Sequence, residues 1–87
     1  ILTNEDPYDE DPRSIVDEMA RGMQREPEII MDRREAIREA LSRAKASDVV
    51  LISGKGTDPN ICVENGKKIP WSDAEVVREE LRRLKRV

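Results

Sequence analysis

Val49-Val50-Leu51-Ile52-Ser53-Gly54-Lys55-Gly56 is the stretch whose reading decides the fold. Its first four residues are apolar without alternation, and three of them are β-branched. Such a run reads as a strand covered on both faces, as in a parallel sheet. Gly54-Lys55-Gly56 is then the loop leaving its carboxyl end. Upstream lie two shorter apolar runs, Ile1-Leu2-Thr3 and Ile29-Ile30-Met31, each read as strand and each followed by a helical pattern. In the first helix Asp11 fits the N-cap and Pro12 the first helical position, and Ile15, Val16, Met19, Ala20 and Met23 form one stripe. In the second, Asp32 and Glu35 make a capping-box-like pair, and Ile37, Ala40, Leu41 and Ala44 give the buried face.

Downstream of the glycine loop, Ile61-Cys62-Val63 and Lys68-Ile69 flank Asn65-Gly66, the strongest short hairpin signal because both turn positions need positive φ. Ser72 and Glu75 open a third helix, with Val76, Val77, Leu81 and Leu84 expected to face inward. Arg82, Arg83, Lys85 and Arg86 suit the negative end of its dipole. The order is strand, helix, strand, helix, strand, hairpin, helix. This alternation predicts an α/β fold with a parallel sheet, helices packed on it and a small C-terminal hairpin.

Composition narrows the function. The chain has 87 residues, enough for one domain, and its only aromatics are Tyr8 and Trp71, so the core must be aliphatic. Charged residues make up 40%, but they interleave with apolar positions at helical spacing, which favours folding over disorder. A net charge of −3 gives no bulk attraction to nucleic acid or anionic lipid. No apolar run approaches the ~20 residues that span a bilayer, so neither nucleic acid nor membrane is an expected partner. A cytoplasmic setting is expected. The absence of histidine removes the usual general base, and the lone Cys62, read as a small buried apolar residue, can form neither an internal disulfide nor a multi-cysteine metal site. No catalytic residue and no metal ligand is assigned. The opening Ile1-Leu2-Thr3 reads as the tail of a strand, and the chain is expected to be a piece of something longer.

Ligands of open α/β sheets bind beyond the carboxyl ends of the strands. Two loops leave such ends: Asn4-Glu5-Asp6-Pro7-Tyr8 and Gly54-Lys55-Gly56-Thr57-Asp58. They can share one rim and would offer the carboxylates of Glu5, Asp6 and Asp58, the Lys55 ammonium, the Thr57 hydroxyl and glycine amides. Gly54-Lys55-Gly56 is not a G-x-x-x-x-G-K-S/T phosphate loop: Gly56 follows the lysine and Pro59 blocks an immediate helix. Taken alone it reads as a turn, and the acidic run as solvated surface.

Together the segments resemble the MurE-type Mur ligases. Leu2-Thr3-Asn4-Glu5-Asp6-Pro7-Tyr8-Asp9-Glu10-Asp11-Pro12 is similar to that family's L-T-S-D-N-P-R-S-E-D-P, and Asp32-Arg33-Arg34-Glu35-Ala36-Ile37 to its D-R-R-E-A-I. Val49 to Asp58 is similar to V-L-I-A-G-K-G-H-E, and Ile69-Pro70-Trp71-Ser72-Asp73 to the start of its last helix. The resemblance runs over nearly the whole chain, in order. It implies the latter part of a Rossmann-like C-terminal (glutamate ligase) domain over residues 1–87. It also implies a parent enzyme that uses ATP and Mg to join an amino acid to a UDP-MurNAc-peptide in peptidoglycan precursor synthesis. In such enzymes the peptide carboxylate is phosphorylated and the incoming amine attacks the acyl phosphate. This piece, without the phosphate loop, is expected to bind no cofactor and to be inactive alone. The implied amino-acid-binding residues are Glu5, Asp6, Tyr8, Gly54, Lys55, Gly56 and Asp58. Two departures stand out. In the first loop Tyr8 replaces the arginine that grips a distal carboxylate in the diaminopimelate-adding branch, and Asp6 replaces the asparagine. In the second Asp58, followed by Pro59, replaces the glutamate of G-K-G-H-E, closer to the G-R-E-P form of lysine-adding relatives. A lysine- or ornithine-like substrate is therefore expected. Two alternatives remain open: another Mur-fold ligase of folylpolyglutamate or cyanophycin type, and a non-catalytic α/β interaction module.

Overall fold

The computed structural model describes residues 1–55 and 58–84. Three helices form where the caps predict: α1 (Pro12–Arg21), α2 (Arg33–Arg43) and α3 (Asp73–Leu84). Each start has its side-chain cap. Asp11 accepts the Arg13 N–H at 3.3 Å, Asp32 accepts the Glu35 N–H at 3.0 Å, and Ser72 Oγ accepts the Glu75 N–H at 3.2 Å. These bonds satisfy amides that have no partner in the first helical turn. α1 stops at Arg21, well before Pro27, with Gly22 as its C-cap.

The hairpin also forms. Strands β1 (Asn60–Cys62) and β2 (Lys68–Pro70) pair antiparallel, with Ile61 opposite Ile69. Asn65 and Gly66 both take positive φ, 60° and 68°, and the turn closes through the Lys67 N–H to Glu64 O at 3.3 Å. Among the described residues this two-stranded ladder is the one sheet.

The expected parallel sheet is present only in outline. Leu2 and Ile29 form a parallel bridge, with the Leu2 N–H donating to Glu28 O at 2.8 Å and the Ile30 N–H to Leu2 O at 3.0 Å. Residues 49–52 join no ladder, and no backbone hydrogen bond ties them to another described segment. Val49 is 92% exposed and Leu51 87%, while Val50 and Ile52 are half-covered. The expectation of a run covered on both faces is therefore corrected: the described residues cover one face. On that face Val50 and Ile52 line a cavity of about 240 Å³ with Leu2, Met19, Ile37 and Ala40.

Packing differs from expectation on α3. α2 and α3 lie against each other, but Leu81 and Leu84 point outward; Asp73, Val76 and Glu80 are the buried positions. Met19 and Met23 of the α1 stripe are likewise half-exposed, and Val16 is buried. The buried apolar set is small: Val16, Ala36, Ile37, Ile61 and Val76. Beside it lie four buried charges, Arg33, Lys55, Asp73 and Glu80, and among the described residues no buried side-chain polar atom lacks a partner. Burying a charge is tolerable only with such pairing. No helix of the described residues is long and apolar enough to cross a membrane.

Candidate functional site

The two loops named from the sequence meet. Asn4, at the end of the first apolar segment, and Ser53, at the end of the third, both give their carbonyl oxygens to one guanidinium. Arg33 Nη1 donates to Asn4 O at 3.3 Å and Nη2 to Ser53 O at 3.1 Å. The next residues along, Glu5 and Gly54, are then in contact. Gly54 has φ +104°, and a Cβ there would lie 2.2 Å from Glu5 Oε2. The left-handed backbone favours glycine here, and any side chain would also push the exposed Glu5 carboxylate aside.

Deeper in the same rim sits an ion cluster. Lys55 Nζ donates to both carboxylate oxygens of Asp6, at 2.9 and 2.8 Å, and lies 3.5 Å from Asp58 Oδ2. Asp6 Oδ1 also accepts the Cys62 N–H at 2.7 Å, so β1 is stitched to the first loop. Lys55 is only 3% exposed. The sequence reading offered its ammonium to a ligand; instead Asp6 and Asp58 enclose it. Burial pushes the Asp6 carboxyl up, but the Lys55 ammonium, the Cys62 amide and the Arg33 guanidinium outweigh it and hold Asp6 below the ordinary aspartate range. For Lys55, burial favours the neutral form, and the two carboxylates reverse this and hold it above the ordinary lysine range. Both groups are therefore charged at neutral pH.

At the lip stand the exposed members. Tyr8 is 58% exposed at φ 53°, with its N–H donating to Cys62 O at 3.2 Å. The neighbouring Cys62 raises its hydroxyl pKa, and Asp6 acts in the same sense, so the phenol stays neutral. Asp58 has a side chain 65% exposed, and Glu5 is also exposed. Of the expected site residues, Glu5, Asp6, Tyr8, Gly54, Lys55 and Asp58 are brought to one rim. Gly56 lies outside the described residues, as does Thr57. Three carboxylates, Glu5, Asp6 and Asp58, share this rim with one ammonium, Lys55, so its described residues are net negative.

The sequence reading missed the support beneath this rim. Arg33 is 6% exposed and grips Asp73 with two bonds, Nε to Oδ1 at 2.9 Å and Nη2 to Oδ2 at 2.8 Å. Trp71 Nε1 donates to the same Asp73 Oδ1 at 2.6 Å. Burial raises the Asp73 carboxyl, yet Arg33 and Trp71 hold it below the usual range. A second buried acid, Glu80 on α3, takes Arg38 at 2.6 Å and Arg34 at 3.1 Å from α2. The Arg38 contact leads in pulling its carboxyl below the ordinary glutamate range. The available signal was helical spacing: Asp73, Val76 and Glu80 fall on one face, opposite the arginines of α2.

The spacing of the chain's glycines, at 22, 54, 56 and 66, is not that of a phosphate-loop motif. No cluster of three or more acidic, cysteine or histidine side chains suited to a metal occurs among the described residues.

Comparison with known proteins then gives a consistent picture. A family profile described as Mur ligase, glutamate ligase domain, matches residues 1–56. A UDP-N-acetylmuramoyl-L-alanyl-D-glutamate–2,6-diaminopimelate ligase of Aquifex aeolicus is 41% identical over 83 residues, 93% of this chain and 17% of the relative. A Bacillus cereus protein of the same description is 39% identical over 83 residues, 93% of this chain and 16% of its own length. A UDP-N-acetylmuramoyl-L-alanyl-D-glutamate–L-lysine ligase of Streptococcus mutans is 39% identical over 82 residues, again 93% of this chain and 17% of the relative. The chain thus spans about one sixth of the length of the curated relatives it matches.

Proposed function

The chain belongs to the Mur ligase family through its glutamate ligase domain, and from that premise we propose that it is the amino-acid-receiving part of an ATP-dependent ligase. That ligase adds a diamino acid of the lysine or ornithine kind to a UDP-MurNAc-peptide. The relatives' names divide between diaminopimelate and lysine, so overall similarity does not choose the substrate. The rim does. One observation carries the reading: the only lysine of the rim is enclosed by Asp6 and Asp58, leaving net negative charge and no exposed cation among its described residues.

Glu5 and Asp58 hold the side-chain amine of the incoming amino acid, and the Gly54-Lys55-Gly56 backbone shapes the pocket around it. A charge-assisted contact of this kind is worth more than a neutral one. Tyr8, neutral where diaminopimelate-adding relatives are expected to carry arginine, offers nothing to a second carboxylate. In the longer enzyme, residues 1–3, 29–31 and 49–52 form a parallel sheet, and the bare side of Val49 and Leu51 is covered by the remainder of the domain. Nucleotide and magnesium are held by other parts of that enzyme, and this piece alone does not turn over. Its part in the reaction is to place the attacking amine and to keep its distal amine charged and anchored.

The test is ligation by the full-length enzyme with lysine, ornithine and diaminopimelate in competition, for wild type, Asp58→Ala and Tyr8→Arg. Losing one charged hydrogen bond costs about 1.5–3 kcal/mol, which is roughly one to two decades in kcat/KM for the amino acid. Lysine or ornithine should win in wild type, and Tyr8→Arg should shift preference toward diaminopimelate. Preference for diaminopimelate in wild type, or an Asp58→Ala enzyme of unchanged efficiency, refutes the assignment.

A further inference from the structure

We infer that Arg33 is a positioning residue for the amino-acid pocket: its single guanidinium sets the spacing of the two loops that carry the pocket's acids. The inference rests on the proposed function for its substrate, but its geometry stands by itself.

The arrangement is over-determined in a way a purely structural ion pair does not need. Four bonds leave the guanidinium. Two go to Asp73, the first residue of α3, and one each to Asn4 O and Ser53 O. The two carbonyls belong to the residues immediately before Glu5 and Gly54. A bond at those positions fixes where each loop begins, and Glu5 meets Gly54 directly above. Asp73 is itself held by Trp71 Nε1, so the fork cannot swing. The planar guanidinium holds its donors at fixed separations. The distance between the loop starts is therefore set by bond geometry within one side chain, not by the packing of two independent segments.

A lysine at this position can keep the charge and one bond to Asp73, but its ammonium cannot also reach two carbonyls in fixed directions. Misplacing a binding group by about 1 Å can cost on the order of a hundredfold when the bound geometry is demanding. Arg33→Lys should therefore weaken use of the amino acid selectively.

The experiment uses the full-length enzyme and measures KM for the amino acid, the UDP-MurNAc-peptide and ATP separately, with thermal midpoints and amide exchange alongside. Arg33→Lys should raise KM for the amino acid about tenfold, with kcat and the other two KM values within about threefold. Its loops at residues 4–8 and 53–55 should exchange faster together. Asp73→Asn, which frees the guanidinium without removing it, should show the same pattern in weaker form and decides the question if Arg33→Lys fails to fold. Arg38→Gln is the matched control. It removes a partner from buried Glu80 without touching either loop, so it should lower the thermal midpoint and leave all three KM values alone. The inference is overturned if Arg33→Lys raises the three KM values equally, if it leaves the amino-acid KM within about twofold of wild type, or if Arg38→Gln reproduces its KM pattern. Should wild type ligate no amino acid at all, the functional reading falls. The paired exchange of the two loops then decides the positioning role, and unchanged exchange in Arg33→Lys overturns it.

Discussion

Replacing Asp6 by asparagine removes one charge and one acceptor from a buried cluster. Asparagine keeps an oxygen where the Cys62 N–H is accepted at 2.7 Å, so the backbone stitch survives. The second oxygen, which accepts Lys55 Nζ at 2.8 Å, becomes an N–H donor, and that bond is lost with the charge. Lys55 then sits 3% exposed with one carboxylate left, Asp58, 3.5 Å away and largely in solvent. Breaking a buried pair by removing one partner costs about 3–5 kcal/mol. Asp58 offsets some of that, so about 3 kcal/mol is expected. At about 0.05–0.15 kcal/mol per residue, a chain of this size is stable by roughly 4–13 kcal/mol, so the loss is a large share of the whole. It corresponds to a fall of about 12–24 °C in thermal midpoint for a domain this small. The assay is urea denaturation of the chain followed by Trp71 fluorescence, in a cycle of Asp6→Asn, Lys55→Met and the double variant. Both singles should be strongly destabilised. The double should recover most of the loss, because a buried pair replaced by neutral groups of similar volume is often close to neutral. An Asp6→Asn cost under about 1 kcal/mol with negligible coupling would show that Lys55 has water, and the enclosed-ammonium account would fail.

Acid should unfold the chain through its buried carboxylates. Asp6, Asp73 and Glu80 all lie below their ordinary values when folded. Their contribution is therefore fully present above the unfolded carboxylate range and is lost as pH falls through the lowered folded values. Lys55, raised when folded, contributes below the ordinary lysine value, and that contribution is lost as pH rises through its folded value. Urea midpoints taken from about pH 7 down to about pH 2 should fall steadily, and a flat profile contradicts the pairing. Gly54→Ala should cost about 1–3 kcal/mol from its φ of +104° and should also displace Glu5. Unchanged stability in the same denaturation assay would mean that the backbone does not adopt that conformation.

What could be read from sequence was whatever has a local cause. Asp11, Asp32 and Ser72 mark helix starts because a side-chain oxygen must meet an amide a few residues on, and Asn65-Gly66 marks a hairpin because two consecutive residues must take positive φ. The site loops were legible too, since Glu5, Asp6, Gly54, Lys55 and Asp58 follow apolar runs that end at one rim. Pairing across distance was not legible. Val49 to Ile52 has the composition of a doubly covered strand, but coverage depends on what lies beside it, and the described residues supply one side. Leu81 and Leu84 have the right period for a buried stripe, yet the adjacent stripe of Asp73, Val76 and Glu80 turns inward because α2 presents Arg33, Arg34 and Arg38 to it. Composition treats charges as solvent-seeking, so Arg33 and Glu80 went unread until their partners were known. The same bias made Lys55 look available.

The seam between α2 and α3 works as a vernier. Asp73 and Glu80 are seven residues apart, about 10.5 Å along the axis at 1.5 Å per residue, and they engage Arg33 at one end and Arg34 with Arg38 at the other. An aliphatic seam tolerates sliding, since one methyl group is much like another. Here a slip of one turn, about 5.4 Å, would break the present pairs. The pairs therefore favour one phase of the two helices. Because Asp73 is both the first residue of α3 and the anchor of Arg33, fixing that phase also fixes the height of the rim above it. A substitution at Asp73, the rim end of the seam, should thus be felt at Glu5 and Gly54 as a change of alignment, while loss of Arg38 leaves that end engaged.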